Sequence, residues 1–354
     1  RRIKLLSQQG KYDFVITEIG GTVGDIESLP FLESIRQLKW EMENNAIVVH
    51  LTYVPYLAAA GELKTKPTQH SVKDLLQQGV QPDIIVCRTE HTLTESVRDK
   101  ISLFCNIDRA SVIESIDAPT IYEVPFNMLK EGLDIQVLKK LGISAKGEPD
   151  LEKWKSFLYK LKNPLTEVNI GLVGKYVELK DAYKSISEAF IHAGAATQCK
   201  VKLKWIHSEK IEDNPGMIEE ELKGLNGILV APGFGTRGIE GKIMAVRYAR
   251  ENNIPFLGIC LGMQCAVIEF ARNVLGYKDA HSVEMMASTK HPVIDMMEEQ
   301  KHLTNMGGTM RLGAYPCKLK AGTKIMEAYQ KELISERHRH RYEFNNAFRA
   351  TLVE

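Results

Sequence analysis

The stretch Ile254-Pro255-Phe256-Leu257-Gly258-Ile259-Cys260-Leu261-Gly262-Met263-Gln264 decides how the chain reads. The apolar run 254–259 predicts a buried strand, and 263–273 predicts a helix. Cys260 stands at the junction with a glycine two residues to either side. That is the layout of a strand-to-helix nucleophile turn, G-x-S-x-G, with sulfur in place of oxygen. The turn is sharp, so its flanks must be small. A thiol at the start of a helix is expected to ionise more readily there. A buried structural cysteine is the commoner fate of a free thiol. The paired glycines, with strand before and helix after, argue against it here. Cys265, inside the predicted helix, fits the structural description instead.

The 354 residues suffice for two or three domains. A net charge of +1 gives no bulk electrostatic case for nucleic acid or membrane partners. The six cysteines include no C-x-x-C pair, which argues against zinc and against a disulfide framework. It suits a reducing, cytoplasmic setting. No apolar stretch is long enough to span a bilayer. The chain opens on Arg1 rather than Met and reads there like the middle of a helix, so a fragment is expected.

Strand and helix alternate through the first half. Strands are predicted at 12–19, 45–53, 82–88 and 110–116, and helices at 28–43, 71–78, 94–105 and 133–141. That order argues a parallel α/β sheet. The first strand runs into Glu18-Ile19-Gly20-Gly21-Thr22-Val23-Gly24-Asp25-Ile26-Glu27. An acid at the carboxyl end of a parallel strand is placed to hold Mg²⁺ on a nucleotide phosphate, and a solvated loop acid is an equal reading of Glu18. Gly61-Glu62-Leu63-Lys64-Thr65-Lys66-Pro67-Thr68-Gln69-His70 brings lysines to the start of the 71–78 helix, where phosphate binding is favoured. A solvated Lys/Thr loop has the same composition. A sheet of this kind usually opens with a P-loop, G-x-x-x-x-G-K-[ST], and none is present. The pairs Gly10-Lys11, Gly174-Lys175 and Gly241-Lys242 lack the following Ser or Thr.

The Gly-Gly-Thr-Val-Gly-Asp-Ile-Glu and Lys-Thr-Lys-Pro-Thr-Gln strings closely resemble the amidoligase domain of the CTP synthases, and the resemblance runs along the whole chain. It implies a P-loop-type parallel-sheet amidoligase domain at 1–143, a linker at 144–166, and a class I glutamine amidotransferase α/β domain at 167–354. It implies Glu18 as a Mg²⁺ ligand. It implies UTP or CTP at Asp25, Ile26, Glu27, Lys64, Thr65, Lys66, Pro67, Thr68, Gln69 and Lys100. It places ATP near Arg88, Asp117 and Ala118. Without it, Lys100 is a helix-surface lysine.

In the second half, strands are predicted at 168–173, 200–206 and 226–230, and helices at 182–196 and 239–252. The loop Ala231-Pro232-Gly233-Phe234-Gly235 follows the third of these strands. Acyl transfer from a thiolate passes through an anionic tetrahedral species that needs convergent N–H donors. Leu261 and Gly233 are the candidates, and a plain tight turn is the other reading of the glycine loop. Similarity to class I glutamine amidotransferases implies Cys260 as nucleophile. It implies glutamine held by Gly233, Leu261, Gly262, Met263, Gln264, Glu284 and Arg341. The family usually shows Pro-Gly-Gly-Phe-Gly, so one loop glycine is displaced here. Gly307-Gly308-Thr309-Met310-Arg311-Leu312-Gly313 resembles a lid linked to GTP activation.

The cysteine also needs a His oriented by a carboxylate. His291-Pro292 is followed by Val293 and is rejected for that role. His338 and His340 belong to an Arg/His motif that precedes the family's His-Pro-Glu, which is expected beyond Glu354. The resemblance thus implies amination of UTP to CTP with ATP and glutamine as co-substrates. GTP would activate, CTP would inhibit, and ammonia would pass by Lys175 and Tyr176. It also implies a homotetramer, with filament assembly a further possibility. A catalytically incomplete homologue kept as an assembly or filament subunit is the alternative.

Overall fold

The computed structural model describes residues 2–145, 147–301 and 310–353. The chain divides into two compact units, Arg1–Lys153 and Trp154–Glu354.

The first unit begins with α1 (Arg2–Ser7), α2 (Leu29–Met42), β1 (Val49–Tyr53) and a short hairpin, β2 (Tyr56–Leu57) and β3 (Glu62–Leu63). There follow α3 (Lys66–Gln77), β4 (Ile84–Thr89), α4 (Glu95–Cys105), β5 (Val112–Ile116), α5 (Val124–Lys130) and α6 (Leu133–Lys140). Its sheet has the order β1-β4-β5, and every pairing is parallel. A strand covered on both faces reads as a continuous apolar run, as β4 does. Ile85 and Cys87 pack with Val72, Ile101, Cys105 and Val112 on one face. Ile84 and Val86 pack with Ile113, Met128, Leu133 and Val137 on the other. The Thr94 side chain caps α4 by accepting from the Val97 N–H, and Asn106 closes the helix in a left-handed conformation.

Two sequence expectations change here. Residues 12–19 form no strand, and Ile16 is 95% exposed. A strand needs a neighbour for its N–H and C=O groups, and no described residue pairs with this segment. The helix expected at 71–78 begins instead at Lys66. Pro67 is compatible with this start, because the first-turn N–H groups of a helix have no intrahelical acceptor.

Helix α4 is tied to the sheet by charge. Arg98 donates from Nη1 to Glu131 Oε2 at 2.8 Å and to the Val112 carbonyl at 3.0 Å, and from Nη2 to Glu114 Oε2 at 3.4 Å. Burial pushes the Glu131 carboxyl up, but the Arg98 hydrogen bond and the Glu114 N–H outweigh it, so its pKa ends below the ordinary value.

The second unit comprises α7 (Glu152–Lys162), which begins at the unit boundary, β6 (Thr166–Gly174), α8 (Lys184–Thr197), β7 (Cys199–His207), α9 (Ser208–Asp213), α10 (Ile218–Leu222) and β8 (Gly227–Val230). There follow α11 (Ile239–Glu251), β9 (Phe256–Gly258) and α12 (Leu261–Asn273). The strands form a parallel sheet of order β7-β6-β8-β9. Val173, Ile228 and Val230 share one core with Ile243 and Val246 of α11 and Ile268 of α12. Leu172 and Leu229 pack on the other face with Tyr183, Phe190 and Trp205. A small sheet joins β10 (His281–Ser282), β11 (Pro292–Met296) and β14 (Tyr342–Phe344), and β12 (Arg311–Lys318) pairs antiparallel with β13 (Leu333–His340). Residues 307–309 of the expected lid lie outside the described residues.

Truncating Arg98 leaves two carboxylates without their cation. Arg98→Ala is expected to lower the stability of the first unit by about 3 kcal/mol, read as a shift in the urea midpoint. Because the folded pKa of Glu131 is depressed, its contribution is present above the ordinary carboxylate value and is lost as pH falls below it.

Candidate active site

The turn at residue 260 is built by close packing. Cys260 adopts φ 53° and ψ −107°, a conformation that L-residues rarely hold. Such backbone strain costs about 1–3 kcal/mol and survives only where neighbours enforce it. Both glycines do so. A Cβ on Gly262 would sit 2.1 Å from the Val230 carbonyl oxygen, and one on Gly258 would sit 2.5 Å from the Gly262 carbonyl carbon. Hydrogen bonds from Ile259 N–H to Val230 O (3.1 Å) and from Gly262 N–H to Ile259 O (2.9 Å) close the turn. The chain therefore leaves β9 and enters α12 with the Cys260 side chain at the junction.

That side chain lines a cavity of about 300 Å³ together with Gly233, Phe234, Gln264, Glu284, Met310, His340, Arg341 and Tyr342. Four of the expected glutamine-site residues, Gly233, Gln264, Glu284 and Arg341, thus meet around the thiol. Leu261 and Gly262 are buried and do not line the cavity, and Met263 is partly exposed beside it in the helix. Leu261 contributes its backbone N–H to the sulfur.

The polar groups here are held firmly. Glu284 Oε1 accepts from the Gly235 N–H at 3.1 Å. Buried Arg341 donates to Gln300 Oε1 at 2.7 Å. Gln264 Nε2 donates to the Tyr342 carbonyl at 3.2 Å, while its Oε1 is buried without a hydrogen-bond partner among the described residues. The N–H groups of Gly233 and Phe234 have no acceptor among the described residues. Burial pushes the Cys260 thiol up, the Leu261 N–H and the Lys242 charge pull it down, and Glu284 pushes it up again, for a net rise. The sequence expectation of a lowered pKa is thus corrected. The helix N–H acts in the expected direction, but removal from water outweighs it.

Sequence reasoning missed Lys242, and it gave Lys175 only a place on the implied ammonia path rather than one against the 231–235 loop. Lys242 Nζ donates to the Ala231 carbonyl at 2.7 Å, and Lys175 Nζ donates to the carbonyls of Phe234 and Gly235 at 2.6 and 2.8 Å. A signal existed for Lys242: it falls between Ile239, Ile243 and Val246 on the buried stripe of α11. His340 was also unassigned. Its Nδ1 lies 3.1 Å from the Tyr342 carbonyl and its Nε2 lies 2.9 Å from His338 Nδ1, and burial lowers its pKa. His291 does not line this cavity. It stacks on Tyr277 with ring centres 4.4 Å apart and lies 2.6 Å from Asp279.

In the first unit, the expected nucleotide residues divide by exposure. Thr65, Thr68 and Gln69 are buried: Thr68 Oγ1 donates to Tyr53 O (3.1 Å), and Gln69 Nε2 donates to Thr65 Oγ1 (3.0 Å). Lys66, Pro67 and Lys100 are exposed, and half-buried Lys64 pairs with Glu62, whose carboxylate also feels Lys100. Arg88 donates to Asp117 at 2.9 Å, at the carboxyl ends of β4 and β5, with half-buried Ala118 adjacent. Asp25 accepts from the Thr22 N–H at 3.1 Å, and Ile26 and Glu27 are exposed. Glu18 is exposed on irregular chain, and no group of three potential metal ligands converges among the described residues. A lone carboxylate fits Mg²⁺ only as one contact to an ion carried mainly by phosphates and water.

A cysteine on a strained strand-to-helix turn, facing a glycine loop in a parallel α/β sheet, is the arrangement expected of a class I glutamine amidotransferase domain. The model of that class, "Glutamine amidotransferase class-I", matches residues 178–353, and "CTP synthase N-terminus" matches residues 1–143. The chain is 67% identical over 350 residues to the CTP synthase of Cytophaga hutchinsonii, covering 98% of this chain and 64% of that protein. It is 60% identical over 354 residues to that of Bacteroides fragilis, covering all of this chain and 66% of the relative. Among solved structures, the glutaminase domain of a Trypanosoma brucei CTPS with bound acivicin matches at 39% identity and TM-score 0.49, over 52% of this chain and 71% of that one. The chain belongs to the CTP synthase family. It spans just under two thirds of the length of these CTP synthases.

Gly262→Ala has no room for its methyl against the Val230 carbonyl. It is expected to cost about 1–3 kcal/mol in urea denaturation and to slow iodoacetamide labelling of Cys260. Lys242 gives a pH signature. Burial lowers its folded pKa from 10.5 to about 8. The unfolded chain therefore binds more protons between these values, so stability is expected to rise with pH across that window, and Lys242→Met is expected to remove the rise.

Proposed function

We propose that the second unit hydrolyses glutamine at Cys260 and that the ammonia aminates UTP to CTP in an ATP-dependent reaction of the complete protein. The observation that carries this reading is the cavity at Cys260. A carboxylate, Glu284, and a guanidinium, Arg341, share a space of about 300 Å³ with the thiol. That pairing complements the zwitterionic end of an α-amino acid. The orphan Gln264 Oε1 is a further acceptor for a substrate N–H.

In this reading the Cys260 thiolate attacks the side-chain amide carbon. The N–H groups of Gly233 and Leu261 receive the developing oxyanion, the proton given up by the thiol passes to the amide nitrogen, which leaves as ammonia, and water then cleaves the thioester to release glutamate and restore the thiol. Glu284 and Gln264 hold the α-amino group, and Arg341 meets the α-carboxylate. Gly262 and Met263 act through the turn geometry. In the first unit, Lys64, Lys66 and Lys100 would carry triphosphate charge at the start of α3. Thr65, Pro67, Thr68 and Gln69 would shape that turn, Asp25, Ile26 and Glu27 would border the pyrimidine, and Arg88, Asp117 and Ala118 would lie by the ATP base. Mg²⁺, with Glu18 as one contact, would offset phosphate charge. GTP activation, CTP inhibition, a homotetramer and a cytoplasmic setting belong to the same proposal.

Cys260→Ala in the full-length enzyme is expected to reduce glutamine-dependent CTP formation by at least about a thousandfold. CTP formation from UTP, ATP and free ammonia should stay within about twofold of wild type. Equal loss with both nitrogen sources would sink this division of labour.

A further inference from the structure

Three carbonyls of one five-residue loop are held by two buried ammonium groups. Lys242 takes the Ala231 oxygen, and Lys175 takes those of Phe234 and Gly235. Both lysines are buried, Lys242 completely. Buried cations are costly, so a chain that retains two beneath one loop gains something for which an apolar side chain would not serve. Close packing delivers each one. Gly174 leaves the room that the Tyr183 hydroxyl occupies, since a Cβ there would meet it at 2.6 Å, and that hydroxyl accepts from the Lys175 N–H at 3.1 Å. Gly241 lets α11 press on α9, since a Cβ there would sit 1.8 Å from the Ser208 carbonyl oxygen, and Lys242 is the next residue.

The peptide plane carries the consequence across the loop. In a trans peptide, C=O and N–H point in opposite directions. Lys175 holds the Phe234 carbonyl from below, so the N–H of the same peptide, that of Gly235, points the other way. There it donates to Glu284 Oε1 at 3.1 Å, on the cavity wall. Lys242 anchors the loop one residue before Pro232, and a Cβ on Gly233 would sit 3.6 Å from its Nζ.

We propose that Lys175 is a positioning residue for glutamine. Through the Phe234–Gly235 peptide it orients Glu284 and, with Lys242 anchoring the start of the loop, it holds the Gly233 peptide in place on the cavity wall that it shares with the thiol. This rests on the glutaminase reading of the Cys260 cavity and adds to it what keeps the donor loop in register. The displaced glycine of Ala231-Pro232-Gly233 makes such an anchor more pertinent, because Pro232 has no N–H with which to tie the loop itself.

The test compares two alkylating reagents on the full-length protein, with labelling at each cysteine followed by mass spectrometry. A chloromethyl ketone analogue of glutamine must bind like the substrate before sulfur displaces chloride. Iodoacetamide needs only the thiol. Lys175→Met is expected to slow labelling of Cys260 by the analogue about tenfold to a hundredfold, mainly through weaker binding, and to leave iodoacetamide labelling within about threefold. Cys265, which is fully buried, should stay unlabelled in a folded variant. If Lys175→Met does not fold, Lys242→Met provides the same comparison and should slow the analogue selectively, chiefly at the bond-forming step. Equal labelling of wild type and variant by the analogue would overturn the clamp while leaving the glutaminase reading in place. A parallel loss with both reagents would also overturn it, by showing a general structural role. Failure of the analogue to label wild-type Cys260 would remove the glutaminase reading, and the clamp with it.

Discussion

The second unit depends on the contact between the α-carbon of Gly262 and the carbonyl of Val230. There is no space between them for even a methyl group. The first turn of α12 is therefore pressed against the end of β8. The chain must cross from β9 to that position within the Ile259-Cys260-Leu261 segment, and Cys260 takes up the difference with its positive φ. The strain is a consequence of packing rather than of the cysteine. A rigid sheet edge and a helix with fixed hydrogen bonds leave the intervening residue no relaxed alternative.

That packing sets the electrostatic problem of the site. Bringing the thiol into a half-enclosed cavity strips it of water, and the rise in its pKa follows. The same enclosure strengthens each fixed dipole directed at the cavity, because a poorly solvated space screens weakly. Buried groups are therefore satisfied almost throughout, by lysines under the donor loop and by Gln300 beside Arg341. Two polar groups break the pattern: buried Gln264 Oε1 and the N–H of half-buried Gly233 lack partners among the described residues. Gly233 and Gln264 line the cavity itself, and such orphans mark where a ligand completes the bonding.

How much of this was legible in the sequence depended on whether the signal was local. The Gly258-x-Cys260-x-Gly262 spacing is a steric requirement written into five residues, and the turn could be read from it. The α/β alternation was legible for the same reason, since β4, β6 and β8 are short apolar runs bounded by breakers. Residues 12–19 have an apolar composition that suits a strand, but pairing requires a partner that composition does not name. The start of α3 was hidden by Pro67, which reads as a breaker although the first turn of a helix tolerates it. Most informative are Lys175 and Lys242. In the sequence they are two Gly-Lys pairs that fail a phosphate-loop pattern. In the structure each glycine makes room for a close approach, and each lysine points under one loop. Their common destination lies 59 and 11 residues away in sequence, and no local pattern encodes that meeting.

The two units use polar side chains in opposite ways. Around Cys260 the charged groups Glu284 and Arg341 converge on a half-enclosed space, which suits the small zwitterion of the proposed function. At the start of α3, Thr65, Thr68 and Gln69 direct hydrogen bonds into the fold, with Thr68 tying the helix to β1, while Lys66 and Lys100 are exposed. Exposed lysines attract phosphate through charge and a helix N-terminus, with little discrimination between bases. In the proposed function, discrimination between bases would rest on other groups, such as the exposed Asp25-Ile26-Glu27 segment. The Cys260 cavity is consequently readable as geometry, whereas the surface at the start of α3 is readable mainly through its Lys-Thr-Lys-Pro-Thr-Gln string.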